Sequence, residues 1–422
     1  MKKYFIPSLI VFLFIVGFTI YYIVERDKEK TPVNEIEEVV TQPKSPIEID
    51  EPITTFPDVV KEIEVLIPEP EPQIEFKPDP DPEPQPVVST SDSCNALSIP
   101  SDYTEVIVDS VDALYKAVTD ANVSGRVVVT IKAGTYTLYQ PLWVSGSDIV
   151  FRGATGTRGD VIVRGDGMYG SVASSFQIAG DRVTVADLTV GYVTNHPIQV
   201  HGELDADDVR IHNVHFIDGY QQLLKGSYTE TNGVDRGIVE CSRFEYSVGI
   251  GPNWYIGGID VHNGKDWIVR DNVFLNIRSP QEDLAEHAIH FWSNSQNTRV
   301  ERNTIINCDR GIGFGLGDRG HIGGLIQDNF IYHDSTRADV GIGLESAKNA
   351  EVARNHIYFE HEYPNAIEYR FEATTGVNIH DNVTNRSITA RDGASGTVTQ
   401  NTTNATKEMF AVELKKWGSS AI

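Results

Sequence analysis

Seven short runs share an inward Ile followed by an apolar residue two places on: HPIQVHG at 196, GGIDVHNG at 257, HAIHFWSN at 287, RGIGFGLGD at 310, VGIGLESA at 340, NAIEYRFEA at 365 and RSITARDGA at 386. Side chains alternate between the faces of a strand, so the residues flanking that second apolar position share the outward face. Turn by turn they are Gln199 with His201, Asp260 with His262, His290 with Trp292, Gly313 with Gly315, Gly343 with Glu345, and Glu368 with Arg370. Lys225, from QQLLKGSYT, joins the row between the first two. Solvated strand faces favour Thr, Lys, Ser and Glu. A His-rich, aromatic patch beside glycines instead describes a cleft in which a sugar ring could approach the backbone. The plain alternative is that surface His and Trp merely cover a β-face.

Asp260, His262 and His290 form the densest group, with about 5 Å between neighbouring backbones if the runs stack as strands. A His suits general-base work near neutral pH, an adjacent carboxylate can orient it, and Lys225 can neutralise a uronate carboxylate or protonate a leaving oxygen. Removing the C5 proton of a uronate needs these parts. The catalytic candidates are therefore Lys225, Asp260, His262 and His290. Substrate-binding candidates are His201, Trp292, Arg319, Glu345, Glu368 and Arg370, walled by loops carrying Trp254, Tyr255, Glu286, His287, Asp318 and His321. Glu345 and Glu368, on adjacent turns, leave open a two-carboxylate hydrolysis. No cofactor is certain and no metal is assigned. Calcium held by Asp260, Glu286 and Glu345 is conceivable, because carboxylates are hard ligands.

The elements that must position this row repeat. The phrase DVRIHNVHF at 208 returns as DWIVRDNVF, NTRVERNTI, GGLIQDNFI, NAEVARNHI and TGVNIHDNV, placing Asn213, Asn272, Asn303, Asn329, Asn355 and Asn382 at steps of 26 to 31 residues with Ser242 in the missing slot. Such a period, without a helical stripe, indicates a solenoid whose turns bury their apolar residues only by stacking. Crossovers between parallel strands are right-handed. The fold class expected is all-β: a single-stranded right-handed parallel β-helix with a short N-terminal capping helix. The Asn residues are read as a corner ladder rather than as catalysts. SVDALYKAVTDANV at 110 to 123 places Val111, Leu114, Ala117, Val118 and Ala121 on one helical face, with Ser110 or Asp109 as N-cap, and reads as the lid on the open end.

The helix, then V-x-I-K-A-G-T-Y at 129 to 136, then Asn-punctuated turns resembles the pectate-lyase-like right-handed β-helix superfamily over about 105 to 404. That resemblance implies lyases, hydrolases, esterases, uronate epimerases, or phage and adhesin fibres, because one fold hosts many chemistries. Asp260-Val261-His262-Asn263 is similar to the Asp-Pro-His-Asp signature of mannuronan C5-epimerases, whose His is the base. The Pro and the second Asp are absent here. The Asn-Thr-Asp and Gly-His-Gly motifs of polygalacturonases are not present.

Upstream, residues 1–3 carry Lys2 and Lys3, and 4–24 run 21 residues without a charge, enough for a transmembrane anchor with a cytoplasmic N-terminus and an exported bulk, periplasmic or at the cell surface. A cleaved signal peptide is the alternative. Residues 25–92 hold 13 of the 20 prolines and a net charge of −13, the composition of a disordered, self-repelling linker. The total of −25 leaves −14 on the β-helix domain, 93–422. That balance argues against nucleic acid as a partner, leaving a polysaccharide and, through the N-terminal helix, a membrane. Cys94, Cys241 and Cys308 are an odd count for an exported chain, with a Cys94 pair left open. The sequence thus points to an envelope-anchored protein acting on a polysaccharide as a lyase or C5-epimerase. The alternatives are a non-catalytic glycan-binding or surface-display solenoid and a glycoside hydrolase.

Overall fold

A computed structural model describes residue 94 and residues 96–417. Segments 1–3, 4–24 and 25–92, with the anchor and linker expected there, lie outside the described residues. Among the described residues no helix is long and apolar enough to cross a membrane.

The described chain winds through three long parallel sheets of 12, 10 and 10 strands, visited in rotation, so each strand's hydrogen-bonded neighbours come from the turns before and after it. A three-stranded sheet, Ser295–Gln296, His321–Ile322 and Ala347–Lys348, squares one corner over three turns. Inward residues from all three long sheets make one continuous core, in which Phe216, Phe244 and Phe274 stack at 4.4 and 4.6 Å between ring centroids. Each ring is fully buried, and burying a Phe is worth about 1.5–3 kcal/mol.

The capping helix spans Val111–Ser124, and Ser110 is its N-cap, accepting from the Ala113 amide. Leu114, Ala117, Val118 and Ala121 cover the open end, while Val111 is only partly buried. After the last strand a 3-10 turn, Lys407–Phe410, and the helix Ala411–Trp417 bury Phe410 and Leu414 against the outer side of a sheet, beside Phe330 and Tyr332. Sequence periodicity does not reveal this second, smaller core, because its sheet residues point out of the coil.

The Asn ladder forms, with a change of membership. Side-chain amides donate in series from Asn272 to Asn303, Asn329, Asn355, Asn382 and Asn401, at 2.9–3.0 Å per step. Ser242 precedes Asn272, its backbone N–H donating to Asn272 Oδ1, and the Val214 N–H donates to Ser242 Oγ. The slot expected for Asn213 therefore belongs to Val214. Strand pairing of His215 with Arg243, and of Arg243 with Val273, fixes that register. Asn213 sits one residue earlier, in the left-handed corner position (φ 52°) that Cys241 and Asp271 occupy on the next turns. Asn tolerates that backbone readily, so its side chain bonds Asp187 and the Gly156 carbonyl instead. Asn401, 19 residues after Asn382, escapes a search at the longer period.

Cys94 and Cys241 form a disulfide across 147 residues, tying the start of the domain to a corner. Cys308 is free and buried, and burial pushes its thiol up to about 12.

Candidate functional site

Strands Leu224–Gly226, Ile259–His262 and His287–Trp292 lie side by side in one ten-stranded sheet. Ile259, Val261, Ile289 and Phe291 fill the coil, so Lys225, Asp260, His262, His290 and Trp292 emerge on its outer wall. Register puts Gln199, Lys225, Asp260, His290, Gly313, Gly343 and Glu368 on one ladder, and His262 opposite Trp292 on the next.

These outward residues do not face open solvent, as strand alternation alone predicts. Asp260, His262 and His290 are 5%, 4% and 2% exposed. Tyr228 stacks on His262 at 4.7 Å, Trp292 packs 4.3 Å from His262 and 5.0 Å from His290, and Arg319 lies 3.8 Å over the Trp292 ring. The last contact is a cation–π pair.

Lys225 Nζ donates to Asp260 Oδ2 at 2.5 Å and to His262 Nε2 at 2.9 Å, and Trp292 Nε1 donates to Asp260 Oδ1 at 2.7 Å. An ammonium has only donors, so Nε2 of His262 carries the lone pair. Its proton is then on Nδ1, which meets Ser293 Oγ at 3.0 Å. Ser293, at a left-handed corner (φ 54°) beyond the strand, thus orients the ring. The carboxylate expected in that role does not: Asp260 Oδ2 is 3.7 Å from His262 Nε2, with Lys225 bridging. Burial would push the Asp260 carboxyl up, but Lys225, with His262 and His290, holds it well below the usual carboxylate range. Burial, reinforced by Lys225, lowers His262 to about 4, so at neutral pH it is an unprotonated acceptor.

The glycine floor is not vacant either. A Cβ at Gly313 would stand 2.8 Å from His287 Nε2, so the missing side chain admits the His287 ring rather than a sugar. His201 lies further along the wall beside Trp143, bonded to Gln177 and Glu203.

Glu345 accepts from the Gly317 amide and pairs with Arg370, which also bonds Asp392. Glu368 accepts from Tyr363, Asn365 and Arg391 and is 3% exposed. Both carboxylates are therefore committed to cross-turn bonds, and Glu368 pairs with Gly343 while Glu345 pairs with Arg370. The calcium trio Asp260, Glu286 and Glu345 is not assembled. Among the described residues, the group of three with ligand atoms close enough to share a metal is Glu286, His287 and His290. Three turns of coil separate Asp260 from Glu345, and Lys225 already satisfies Asp260. His321 stacks on Phe314 and bonds Thr298, a packed corner residue rather than a cleft wall.

No family model and no curated protein matches the sequence. Among solved structures, a mannuronic-acid-specific polysaccharide family 6 lyase from human gut microbiota aligns with TM-score 0.51 and 14% identity, over 71% of this chain and 78% of that one. An alginate lyase from Paenibacillus sp. FPU-7 aligns with TM-score 0.49 and 14% identity, over 71% and 99%. The Streptococcus pneumoniae surface protein and adhesin PfbA gives 0.41 and 12%, over 70% and 97%. With its sheets all parallel and stacked turn on turn, the chain has the right-handed parallel β-helix fold, of the kind found in polysaccharide lyases.

Proposed function

We propose that this protein acts on a uronate-containing polysaccharide by abstracting the C5 proton, as a lyase or C5-epimerase. The observation that carries this reading is the contact of Lys225 Nζ with both Asp260 Oδ2 and His262 Nε2. A uronate carboxylate competing for Lys225 would take its ammonium away from His262 and free Nε2 as the base. Lys225 and Arg319 supply local positive charge in a domain whose net charge is −14, offsetting repulsion of an anionic chain. As the C5–H pair moves onto C5, the neutralised carboxylate spreads the charge. Transfer of that proton from His262 to the C4 oxygen as the C4–O bond breaks then gives a 4,5-unsaturated uronate and a free hydroxyl on the leaving sugar, whereas delivery of a proton from solvent to the other face of C5 gives the epimer. Because Trp292 and Arg319 cover the base, substrate must displace their stack to reach it. The gut lyase described as mannuronic-acid specific shares the fold; the chemistry rests on the residues.

We also propose an exported location with residues 4–24 as anchor. The charge-free run supports it, as does the disulfide, a bond that persists in oxidising compartments.

The test is the full chain against alginate, pectate and glycosaminoglycans, with and without calcium, followed by unsaturated-uronate absorbance and by NMR of epimer content. Activity abolished by His262→Gln is expected. No product and no epimer on any of these substrates, with glycan retention that depends on Trp292 alone, would replace the enzyme with a glycan-binding solenoid.

A further inference from the structure

Beside the proton-abstraction residues stands a second chemical group. The strand His287–Trp292 begins at a corner where His287 turns toward the side of His290, and the two rings lie 4.4 Å apart. One nitrogen of each ring and one carboxylate oxygen of Glu286 lie within 4.8 Å of one another. From Glu286, His287 and His290 we infer a binding site for a divalent first-row transition-metal ion.

Two imidazoles and a carboxylate are a donor set that such ions take, leaving a coordination position open. His287 is buried to 8% exposure, yet its Nδ1 has no hydrogen-bond partner among the described residues. An orphaned lone pair or N–H of that kind costs about 1–3 kcal/mol unless something binds it. His290 Nε2 meets the Gly315 carbonyl at 3.2 Å. A carbonyl only accepts, so the His290 proton is on Nε2 and the Nδ1 lone pair is free to ligate, oriented as metal-binding imidazoles usually are. Asp260 Oδ1 borders the site at 3.9 Å from that nitrogen. Gly313 makes the room, since any side chain there would strike the His287 ring. Donors 2.0–2.2 Å from an ion sit about 3–3.6 Å apart, so binding needs a closure of about an ångström.

The site does not depend on the uronate reading, and its test reads no turnover. The full chain, stripped with chelator and purified in mild detergent, is titrated with Co²⁺ and the visible d–d absorption followed; Zn²⁺ is then added in competition and bound metal counted by mass spectrometry. Expected are one equivalent of Co²⁺, displacement by Zn²⁺ but not by excess Ca²⁺, and at least about 100-fold weaker uptake in His287→Ala, beyond the 10–100-fold typical of losing an outer-shell partner. Glu286→Gln, nearly isosteric, should weaken uptake at least about tenfold and decides the matter if His287→Ala fails to fold by circular dichroism. Absence of stoichiometric uptake, or uptake unchanged in a folded variant, overturns the site.

Discussion

Lys225 and Asp260 are Cα partners on neighbouring turns, and their side chains meet at 2.5 Å with only 13% and 8% exposure. An ion pair so covered is expensive to break from one side, because the remaining charge has lost its water. Lys225→Met should therefore cost about 3–5 kcal/mol of unfolding free energy in urea and lower kcat/KM at least about 100-fold. Adding Asp260→Asn should restore much of the stability and none of the activity. If the double variant is no more stable than Lys225→Met, the pair is not coupled as described.

His262 should set the acidic limb of activity. Its imidazole must be unprotonated to accept a proton, and burial, with Lys225, lowers it to about 4. kcat/KM, which reports the free protein, should thus rise through about pH 4 and be flat above it, where an ordinary His would give a limb near 6.5. Ser293→Ala removes the Nδ1 partner and should lower kcat more than it changes KM. A limb near 6.5 would mean that the base is another group.

Stability has its own pH dependence. Burial above all holds His196, His321 and His361 at about 3, 3 and 4. Their folded values lie below the ordinary 6.5, so the unfolded chain binds protons that the folded one refuses. This contribution is intact above about pH 6.5 and is lost as the pH falls from there toward 4. Burial would push Glu245 up, but His215 and Arg243 hold it at about 2, which extends the loss below about pH 4.5. The unfolding free energy from urea melts should fall steadily between pH 7 and pH 4, by several kcal/mol in total, because each tenfold change in proton affinity is worth about 1.4 kcal/mol. A flat profile would contradict neutral, buried imidazoles.

The disulfide offers a separate test of domain closure. Joining residues 147 apart restricts the unfolded chain, so reduction or Cys94→Ser should lower the unfolding free energy by about 2–4 kcal/mol. The folded, oxidised protein should show no reactive thiol, and denaturation should release Cys308 alone. Two or more thiols on denaturation without reductant would exclude the Cys94–Cys241 bond.

Which parts were readable from sequence follows from what repeats. The coil, its cap and the shared wall of Lys225, Asp260, His262, His290 and Trp292 obey the period of the turn and the alternation of the strand. Ser293 and His287 sit at corners, outside the alternation rule, and Tyr228 comes from a loop; no pattern announces that they orient, crowd and cover the cluster. Glu345 and Glu368 look free on a strand diagram because their partners, Gly317, Tyr363 and Arg391, come from loops and other turns.

Asn213 shows the limit most sharply, since its neighbours in sequence match the repeat while its slot does not, and the two kinds of Asn should respond differently to substitution. Asn329 donates to Asn355 Oδ1, the Val300 carbonyl and the Gln327 carbonyl, and accepts from both the backbone and side chain of Asn303. Asn329→Ala leaves several of these groups buried and unpaired, at about 1–3 kcal/mol each, and should cost upwards of about 3 kcal/mol in urea unfolding. Asn213→Gly keeps the left-handed corner that its φ of 52° requires and removes two bonds at a partly exposed site, so it should cost about 1 kcal/mol or less. Equal losses at the two positions would place Asn213 back in the ladder and shift the register of the first turns by one residue.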